Sequence, residues 1–350
     1  MQERIRVNHL SRKFGTVLAV DDVSFEIREH EFFSLLGPSG CGKTTTLRCI
    51  AGLEQPTAGE VYIGGVLVTS VADGVLVPPD KRAIGMVFQN YAVWPHMTVE
   101  QNISYPLKLA RAPREEVKQR TDKVLEMLQL RGLGKRYPAE LSGGQQQRVA
   151  LGRALVTNPE VLLLDEPLSN LDAKLREQMR FELKDLQEKT GIAILYVTHD
   201  QIEAMAMSDR VAVMNNGIIV QEGKPHEIYQ RPANKFVADF IGTMNFLQCQ
   251  AIESHGDSVK VRLQSGDVVD VGYQGSIRGK CLLAVRPEDV VLSRESGLRC
   301  QVEVGIFLGS FTEYRVRVGN DALRVQTSIG AQFQPGETAF LQIEKGLLFQ

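Results

Sequence analysis

The 350-residue sequence lacks the marks of several protein classes. Its five cysteines are scattered and form no C-x-x-C pair, which suits a reducing cytosol better than a disulfide framework or a zinc site. Its longest apolar runs, at 161–164 and 193–197, are far shorter than the roughly 18 residues of a membrane-spanning helix. The charged start, Met-Gln-Glu-Arg, is unlike a secretory signal. The net charge is −2, so the composition gives no indication of a basic surface. No nucleic-acid partner is therefore expected.

The chain has two regions of different pattern. Up to about residue 242, strand-like and helix-like stretches alternate, which predicts a parallel sheet covered by helices. After residue 245, short alternating strands follow one another, and Gly319-Asn320 is a hairpin signal. We therefore predict an α/β domain over 1–242, with a helical subdomain at about 90–158, and a small all-β domain over 243–350. The clearest predicted strands are 32–36, 161–165 and 192–198, and the clearest helices are 43–50, 114–130 and 171–189.

Residues 37–44 fit the pattern G-x-x-x-x-G-K-[ST] completely and lie between a predicted strand and a predicted helix. Glycines let successive backbone N–H groups point at phosphate oxygens, and a helix N-terminus adds partial positive charge. Lys43 would reach the β and γ phosphates, and Thr44 would offer a hydroxyl to Mg²⁺. The alternative is a tight turn with a solvated lysine. The candidate nucleotide-binding residues here are Gly37, Pro38, Ser39, Gly40, Cys41, Gly42, Lys43, Thr44 and Thr45.

Two carboxylates end the apolar strand predicted over 161–165. Asp165 would come to the sheet edge where the phosphate loop opens, and it suits Mg²⁺ directly or through water. Glu166 suits a general base that polarises an attacking water. A strand that ends in a solvated acidic turn is the alternative, and the preceding phosphate loop argues against it.

A second candidate phosphate-binding surface lies at residues 141–145, Leu-Ser-Gly-Gly-Gln. A serine suits the N-cap of a helix, and the two glycines would expose backbone N–H groups at its start. Two anion sites and one nucleotide suggest that two copies of the chain share each ATP. The alternative is an ordinary helix cap. The residues of this second surface are Ser142, Gly143, Gly144 and Gln145.

Over nearly its full length, the chain resembles the ATP-binding subunits of ABC transporters. Residues 37–44 match the family's phosphate loop, 141–145 its signature and 161–166 its magnesium strand with the catalytic glutamate. The resemblance further assigns Gln89 to the Q-loop, residues 169–172 to the D-loop, His199 to the switch histidine and Phe14 to adenine stacking. It implies catalytic roles for Lys43, Gln89, Glu166 and His199, and contact with Mg²⁺ by Thr44, Gln89 and Asp165.

The resemblance also implies an architecture and partners. The fold would be a P-loop NTPase core of the ABC ATPase type with a helical subdomain, followed by an OB-like TOBE domain. A homodimer would hold two ATP molecules with Mg²⁺ and bind two transmembrane permease subunits at the cytoplasmic face of the membrane. An extracytoplasmic solute-binding protein would take part indirectly.

The subfamily is indicated by residues 94–98 and 284–289, which look like those of bacterial solute importers, a branch whose cargoes include polyamines, ferric iron, phosphonates and sugars. Within that branch, the sequence of residues 91–96 is closer to those of polyamine and ferric-iron importers. Aromatic and methionine side chains at 90–97, Trp94 among them, suggest a surface for the permease. The alternative is that Trp94 packs inside the helical subdomain.

Other classes remain as alternatives. An exporter ATPase would lack the β-rich tail, and an ABC ATPase acting on DNA or ribosomes usually carries long coiled-coil insertions or two cassettes. A P-loop kinase or GTPase has no role for residues 141–145. A regulatory module that has lost hydrolysis is disfavoured because Lys43, Glu166 and His199 are intact.

Overall fold

The computed structural model describes residues 2–255, 258–273, 277–328, 330 and 332–350. The chain divides into two compact units, Met1–Ile228 and Tyr229–Gln350. The division comes before the boundary expected after residue 242. Arg286 accounts for the difference, because its guanidinium donates to the carbonyls of Tyr229 at 2.8 Å and Ile241 at 2.9 Å. The segment that was expected to end the first domain is thereby tied to the β-rich unit.

The first unit contains eleven strands among its described residues. They are β1 Glu3–Phe14, β2 Val17–Arg28, β3 Phe32–Leu36, β4 Ala58–Ile63, β5 Val66–Ser70, β6 Val75–Leu76, β7 Ile84–Val87, β8 Val161–Asp165, β9 Ala193–Thr198, β10 Arg210–Asn215 and β11 Ile218–Gly223. Its helices are α1 Lys43–Ala51, α2 Val99–Leu109, α3 Arg114–Met127, α4 Gly143–Leu155, α5 Ala173–Thr190, α6 Gln201–Met207 and α7 Pro225–Gln230. Helix α7 crosses the division between the units.

The central sheet has the strand order β11-β10-β3-β9-β8-β7. All its neighbouring strands are parallel except the β10–β11 pair. Every residue of β3, β8 and β9 is buried, which explains why these strands are continuous apolar runs without alternation. The predicted strands at 32–36, 161–165 and 192–198 are confirmed within one residue, and so is the α/β class.

Successive residues of the central strands enter two different cores. Leu162 and Leu164 pack with the helical subdomain and α5, whereas Val161 and Leu163 pack with α1 and the N-terminal strands. The helical subdomain, α2 to α4, occupies the region expected at about 90–158. Helix α3 ends at Met127, three residues before its predicted end.

A second sheet of the first unit was not anticipated from sequence. It has the order β2-β1-β4-β5-β6 and is antiparallel. Parts of β1 and β2 alternate buried and accessible residues; in β1, Ile5 and Val7 are buried and Arg6 between them is partly accessible. That alternation is present in the sequence, but the expected α/β pattern up to residue 242 did not include this sheet.

The second unit is all-β apart from helix α8, Lys235–Phe240, and a single 3-10 turn at Pro287–Asp289 among its described residues. Its strands are β12 Asn245–His255, β13 Ser258–Leu263, β14 Val268–Gly272, β15 Gly279–Val285, β16 Val290–Ser293, β17 Leu298–Phe307, β18 Phe311–Val318, β19 Asp321–Ser328, β20 Thr338–Ile343 and β21 Leu347–Phe349. Two five-stranded antiparallel sheets, β14-β13-β12-β15-β21 and β16-β20-β17-β18-β19, share one apolar core. The expected β18–β19 hairpin is confirmed, with Tyr314, Val316 and Val318 buried.

Among the helices of the described residues, we find none with the length and apolarity needed to cross a membrane.

Candidate functional site

The loop between β3 and α1 has the geometry of a phosphate cradle. Gly42 precedes the helix at φ 107°, and a Cβ there would lie 2.3 Å from the carbonyl oxygen of Ala19. Only glycine therefore fits at this position. The buried Lys43 ammonium donates to the carbonyls of Gly37 at 2.8 Å and Pro38 at 2.9 Å, so it lies over the loop. No side chain caps the start of α1, which leaves its backbone N–H groups directed at the cradle.

Thr44 and Asp165 meet beside this loop although 121 positions separate them. The Thr44 hydroxyl donates to Asp165 Oδ1 at 3.0 Å, and Asp165 is 5% exposed. Burial raises the pKa of the Asp165 carboxyl, and the Thr44 hydrogen bond partly opposes that rise. A hydroxyl and a desolvated carboxylate side by side are oxygen ligands that suit Mg²⁺. The described residues hold no group of three His, Cys, Asp or Glu that could bind a metal, so water and phosphate oxygens would have to complete the coordination.

Glu166 and His199 face each other at the carboxyl ends of the adjacent parallel strands β8 and β9. His199 Nδ1 lies 3.0 Å from Glu166 Oε2, a hydrogen-bonding distance. The Glu166 side chain is 18% exposed and the histidine 51%, so water can reach the pair. A carboxylate and an imidazole in contact can accept and hold a proton from a water molecule between them and a phosphate.

The backbone at Glu166 is held in an unfavourable conformation. Its φ is 45°, in the left-handed region that non-glycine residues rarely adopt. The Glu166 N–H donates to the Val197 carbonyl at 3.0 Å, and the Glu166 carbonyl accepts from the hydroxyl of Ser169 at 2.9 Å. Strain that surrounding hydrogen bonds maintain in this way is concentrated at functional sites.

Glu203 is a supporting residue that the sequence analysis did not single out. It is 3% exposed, and its Oε2 accepts from the hydroxyls of Tyr196 and Thr198, both at 2.7 Å. The Thr198 hydroxyl in turn accepts from the Asp200 N–H at 2.9 Å, which fixes the backbone on both sides of His199. The sequence signal for Glu203 was its short spacing from His199 across the start of helix α6.

Residues 142–145 form the start of α4, where Ser142 and Gly143 are exposed, Gln145 is half-buried and Gly144 is buried. The Ser142 hydroxyl accepts from the Gln145 N–H at 3.4 Å, and the Gln145 side chain accepts from the Ser142 N–H at 3.0 Å. These bonds form a capping box. A Cβ on Gly144 would lie 3.1 Å from Leu175, so this helix end packs closely on α5.

Gln89 and Phe14 lie at the ends of two other strands. Gln89 follows β7 and is exposed, and its carbonyl accepts from the Asn170 side chain at 2.8 Å. Phe14 ends β1 with 43% of its surface exposed, and the Arg12 guanidinium lies 4.3 Å from the ring centroid. Contacts thus bring Lys43, Thr44, Asp165, Glu166 and His199 together at one sheet edge, while the residues of 142–145 lie on a different element.

Comparisons with known proteins give the family of the chain. Residues 20–169 match the ABC transporter family, and residues 283–349 match the TOBE domain. The trehalose/maltose import ATP-binding protein MalK of Thermococcus litoralis is 50% identical over 90% of this chain and 88% of its own. The spermidine/putrescine import ATP-binding protein PotA of Rubrobacter xylanophilus is 44% identical over 95% and 89%. The Fe(3+) ions import ATP-binding protein FbpC of Rhizobium etli is 45% identical over 89% and 87%.

Solved structures give the same class. The dimeric, post-hydrolysis ATP-binding cassette MJ0796 bound to ADP and Pi is 34% identical with a TM-score of 0.54, covering 63% of this chain and 98% of that one. The protein cbiO1 of Clostridium perfringens is 27% identical with a TM-score of 0.60, covering 66% and 92%. The fold is that of an ATP-binding-cassette ATPase.

The chain belongs to the ABC transporter family, among the import ATP-binding proteins that carry a C-terminal TOBE domain. It is an ATPase whose activity is coupled to transport. The resemblance stated from the sequence is confirmed.

Proposed function

We propose that this chain binds Mg²⁺-ATP at the β3–α1 loop and hydrolyses it with Glu166 as the general base. The observation that carries the proposal is the Glu166–His199 contact of 3.0 Å at the sheet edge where Thr44 meets Asp165. A base must lie within hydrogen-bonding reach of its water, and this pair is open to solvent beside the phosphate cradle.

Nucleotide binding is assigned to residues 37–45, with Phe14 stacking on the adenine. The backbone N–H groups of the loop and the Lys43 ammonium would hold the phosphates. Thr44 and Asp165 fit Mg²⁺, with Gln89 as a further contact, and a bound Mg²⁺ would neutralise charge on the phosphates.

In the hydrolysis step, Glu166 orients the attacking water and accepts its proton. His199 holds the water or the γ-phosphate, and it steadies the carboxylate through their contact. Glu203 and Thr198 position His199 because they fix the backbone around it.

Two copies would complete each site. Ser142, Gly143, Gly144 and Gln145 are proposed to contact the ATP bound by a partner copy, because Ser142 and Gly143 at this end of α4 are exposed to solvent. A dimeric solved relative supports the arrangement. ATP binding would close the dimer, and hydrolysis would reopen it.

The proposed transport function is import of a small solute, polyamine or ferric iron, at the cytoplasmic face of the membrane. The relatives named for spermidine/putrescine and for Fe(3+) support this cargo, and the trehalose/maltose relative supplies the competing one. Two permease subunits and an extracytoplasmic solute-binding protein would complete the importer.

Phosphate release by the purified chain tests the catalytic part of the proposal. Mg²⁺-dependent release that Glu166→Gln abolishes is expected, and release that survives this change would refute the assigned base. Uptake of spermidine, ferric iron and maltose by cells with and without the chain then distinguishes the cargoes. Selective loss of maltose uptake alone would reject the proposed cargo.

A further inference from the structure

The segment that follows Gln89 has an unusual backbone. Tyr91 and Ala92 are consecutive non-glycine residues with positive φ, 60° and 47°. Each conformation is disfavoured by itself, so two in succession require external support. Tyr91 is buried within the helical subdomain and Ala92 is exposed.

Arg153, in the last turn of α4, supplies that support. Its guanidinium donates to the Tyr91 carbonyl at 2.9 Å and to the Ala92 carbonyl at 2.6 Å. The same group lies 4.4 Å from the centroid of the Trp94 ring. A planar fork of donors that also stacks on an aromatic face is a property of arginine that lysine does not share.

The partners of Arg153 are neutral. Within the described part of the chain, no carboxylate lies at ion-pair distance from this half-buried cation, and burial lowers its pKa. By contrast, Arg148 on the same helix is paired with Glu182 through two bonds of 2.9 and 2.6 Å. The charge-assisted bonds of Arg153 therefore hold the segment at Tyr91–Trp94 to α4.

The same segment is tied to two other elements. At its start, the Gln89 carbonyl accepts from Asn170, four residues after Glu166. At its end, the backbone N–H of Trp94 donates to the side-chain oxygen of the fully buried Asn102 of α2 at 2.9 Å. The Trp94 indole packs on Tyr105, with ring centroids 4.5 Å apart. Arg153 holds the middle and connects it to α4, the helix whose other end is Ser142.

We propose that Arg153 is a positioning residue that makes the Gln89 segment and helix α4 move as one body. From Ser142 to Arg153 the helix extends roughly 17 Å, so a displacement of the Gln89 segment is transferred to the distant start of α4. The inference rests on the proposed function, because it explains how nucleotide at the β3–α1 loop moves residues that contact the partner copy's ATP.

The chain's single tryptophan makes the proposal measurable, since Trp94 is both a contact of Arg153 and the only indole in the sequence. The experiment records Trp94 emission of the full chain without nucleotide and with Mg²⁺ and the non-hydrolysable analogue AMP-PNP. Calorimetry measures analogue binding separately. The variants are Arg153→Met, which keeps length and packing, Arg153→Lys, which keeps the charge, and Arg148→Met as the matched control on α4.

For Arg153→Met we expect the AMP-PNP-induced change in Trp94 emission to fall to about a third or less, with the analogue's Kd within about twofold of the original. The ATPase kcat should fall about tenfold with little change in KM, because the signature residues are misplaced while nucleotide contacts persist. Arg153→Lys should restore part of both losses. Arg148→Met should lower the melting temperature without altering the emission response.

Retention of the full emission response and kcat in Arg153→Met would overturn the proposal. So would an equal loss in Arg148→Met, because general weakening of α4 would then explain both. If Arg153→Met does not fold, Arg153→Lys decides alone, and an unchanged response and kcat in that folded variant count against a forked clamp. If the unmodified chain fails to bind AMP-PNP, the proposed function fails and this inference falls with it.

Discussion

The starts of helices α1 and α4 are both glycine-rich, but they differ in capping: α1 has no side-chain cap and α4 has one. Helix α1 begins after Gly42 without a side-chain cap, and Lys43 lies over its loop. Helix α4 begins after Ser142, whose hydroxyl and N–H are both bonded to Gln145. The first end leaves its backbone donors for a ligand, while the second satisfies two of its own groups.

We interpret this difference as a separate role for each helix end. The β3–α1 loop is prepared for phosphate within one chain, because its glycine geometry is fixed by contacts such as Gly42 against Ala19. The α4 end is stable without a ligand and exposed, which suits a surface that engages only when a second chain presents its nucleotide. Variants that affect one end and spare the other test this interpretation.

The largest effect is expected from Glu166→Gln, which leaves both helix ends intact and removes only the base. ATP should bind at α1 while hydrolysis falls by about 10²–10⁴-fold. Because bound ATP persists, dimers that use the α4 end should accumulate, as size-exclusion chromatography with light scattering will show. Tight ATP binding without dimers would contradict the role given to α4.

Ser142→Arg should disrupt the function of the α4 end and leave the α1 end unaffected. The isolated chain should bind ATP with unchanged Kd, because α1 and its loop lie elsewhere in the chain. Hydrolysis should fall about 100-fold, because a bulky cation would displace the partner's nucleotide. Calorimetry and phosphate release measure the two quantities. Loss of monomer binding would mean that α4 contacts its own chain's nucleotide.

A smaller effect is expected from Ser142→Ala, for which Thr98→Ala is the matched control. Thr98 and Gln101 form the same capping box at the start of α2. Each change should cost about 1 kcal/mol of unfolding free energy, because one cap bond is lost. Only Ser142→Ala should also lower ATPase activity, by a few-fold at saturating ATP. Equal activity in the two variants would reduce Ser142 to a helix cap.

Much of the fold could be predicted because the central strands are buried on both faces. Continuous apolar runs such as β8 and β9 are unambiguous, and the phosphate loop marks where the sheet edge opens. The antiparallel sheet was missed because its β1–β4 pair, in which Val7 faces Val61, joins distant segments, although its other pairs are between consecutive strands. Alternation within a strand reveals its buried face but does not identify its neighbour.

The site was predictable where a local pattern carried the chemistry. Residues 37–45 and 142–145 are such patterns, and Glu166 follows an apolar strand. Arg153 was missed because its contacts depend on tertiary packing. Glu203 was missed although its partners Tyr196 and Thr198 are near in sequence, because a glutamate in the first turn of a helix is itself typical of dipole complementation. In sequence, an arginine in the last turn of a helix is typical of dipole complementation, and nothing local predicts its bonds to Tyr91 and Ala92.

The smallest effect is expected from removing the β-rich unit. This removal tests whether both helix ends keep their properties in the first unit alone. Both ends and every contact that defines the β3–α1 site lie before Tyr229. A fragment of residues 1–228 should therefore fold and bind ATP with a Kd within about threefold of the full chain. Calorimetry on the two proteins measures this.

A fragment of residues 1–242 sharpens the same test, because it corresponds to the boundary expected from sequence. Its last residues include the Tyr229 and Ile241 carbonyls, whose partner Arg286 has been removed, together with the Tyr229 ring that Arg286 covers at 3.5 Å. Those residues should be proteolysed rapidly, and the fragment should melt at the same temperature as 1–228. A higher melting temperature for 1–242 would assign the segment to the ATPase unit and restore the boundary after residue 242.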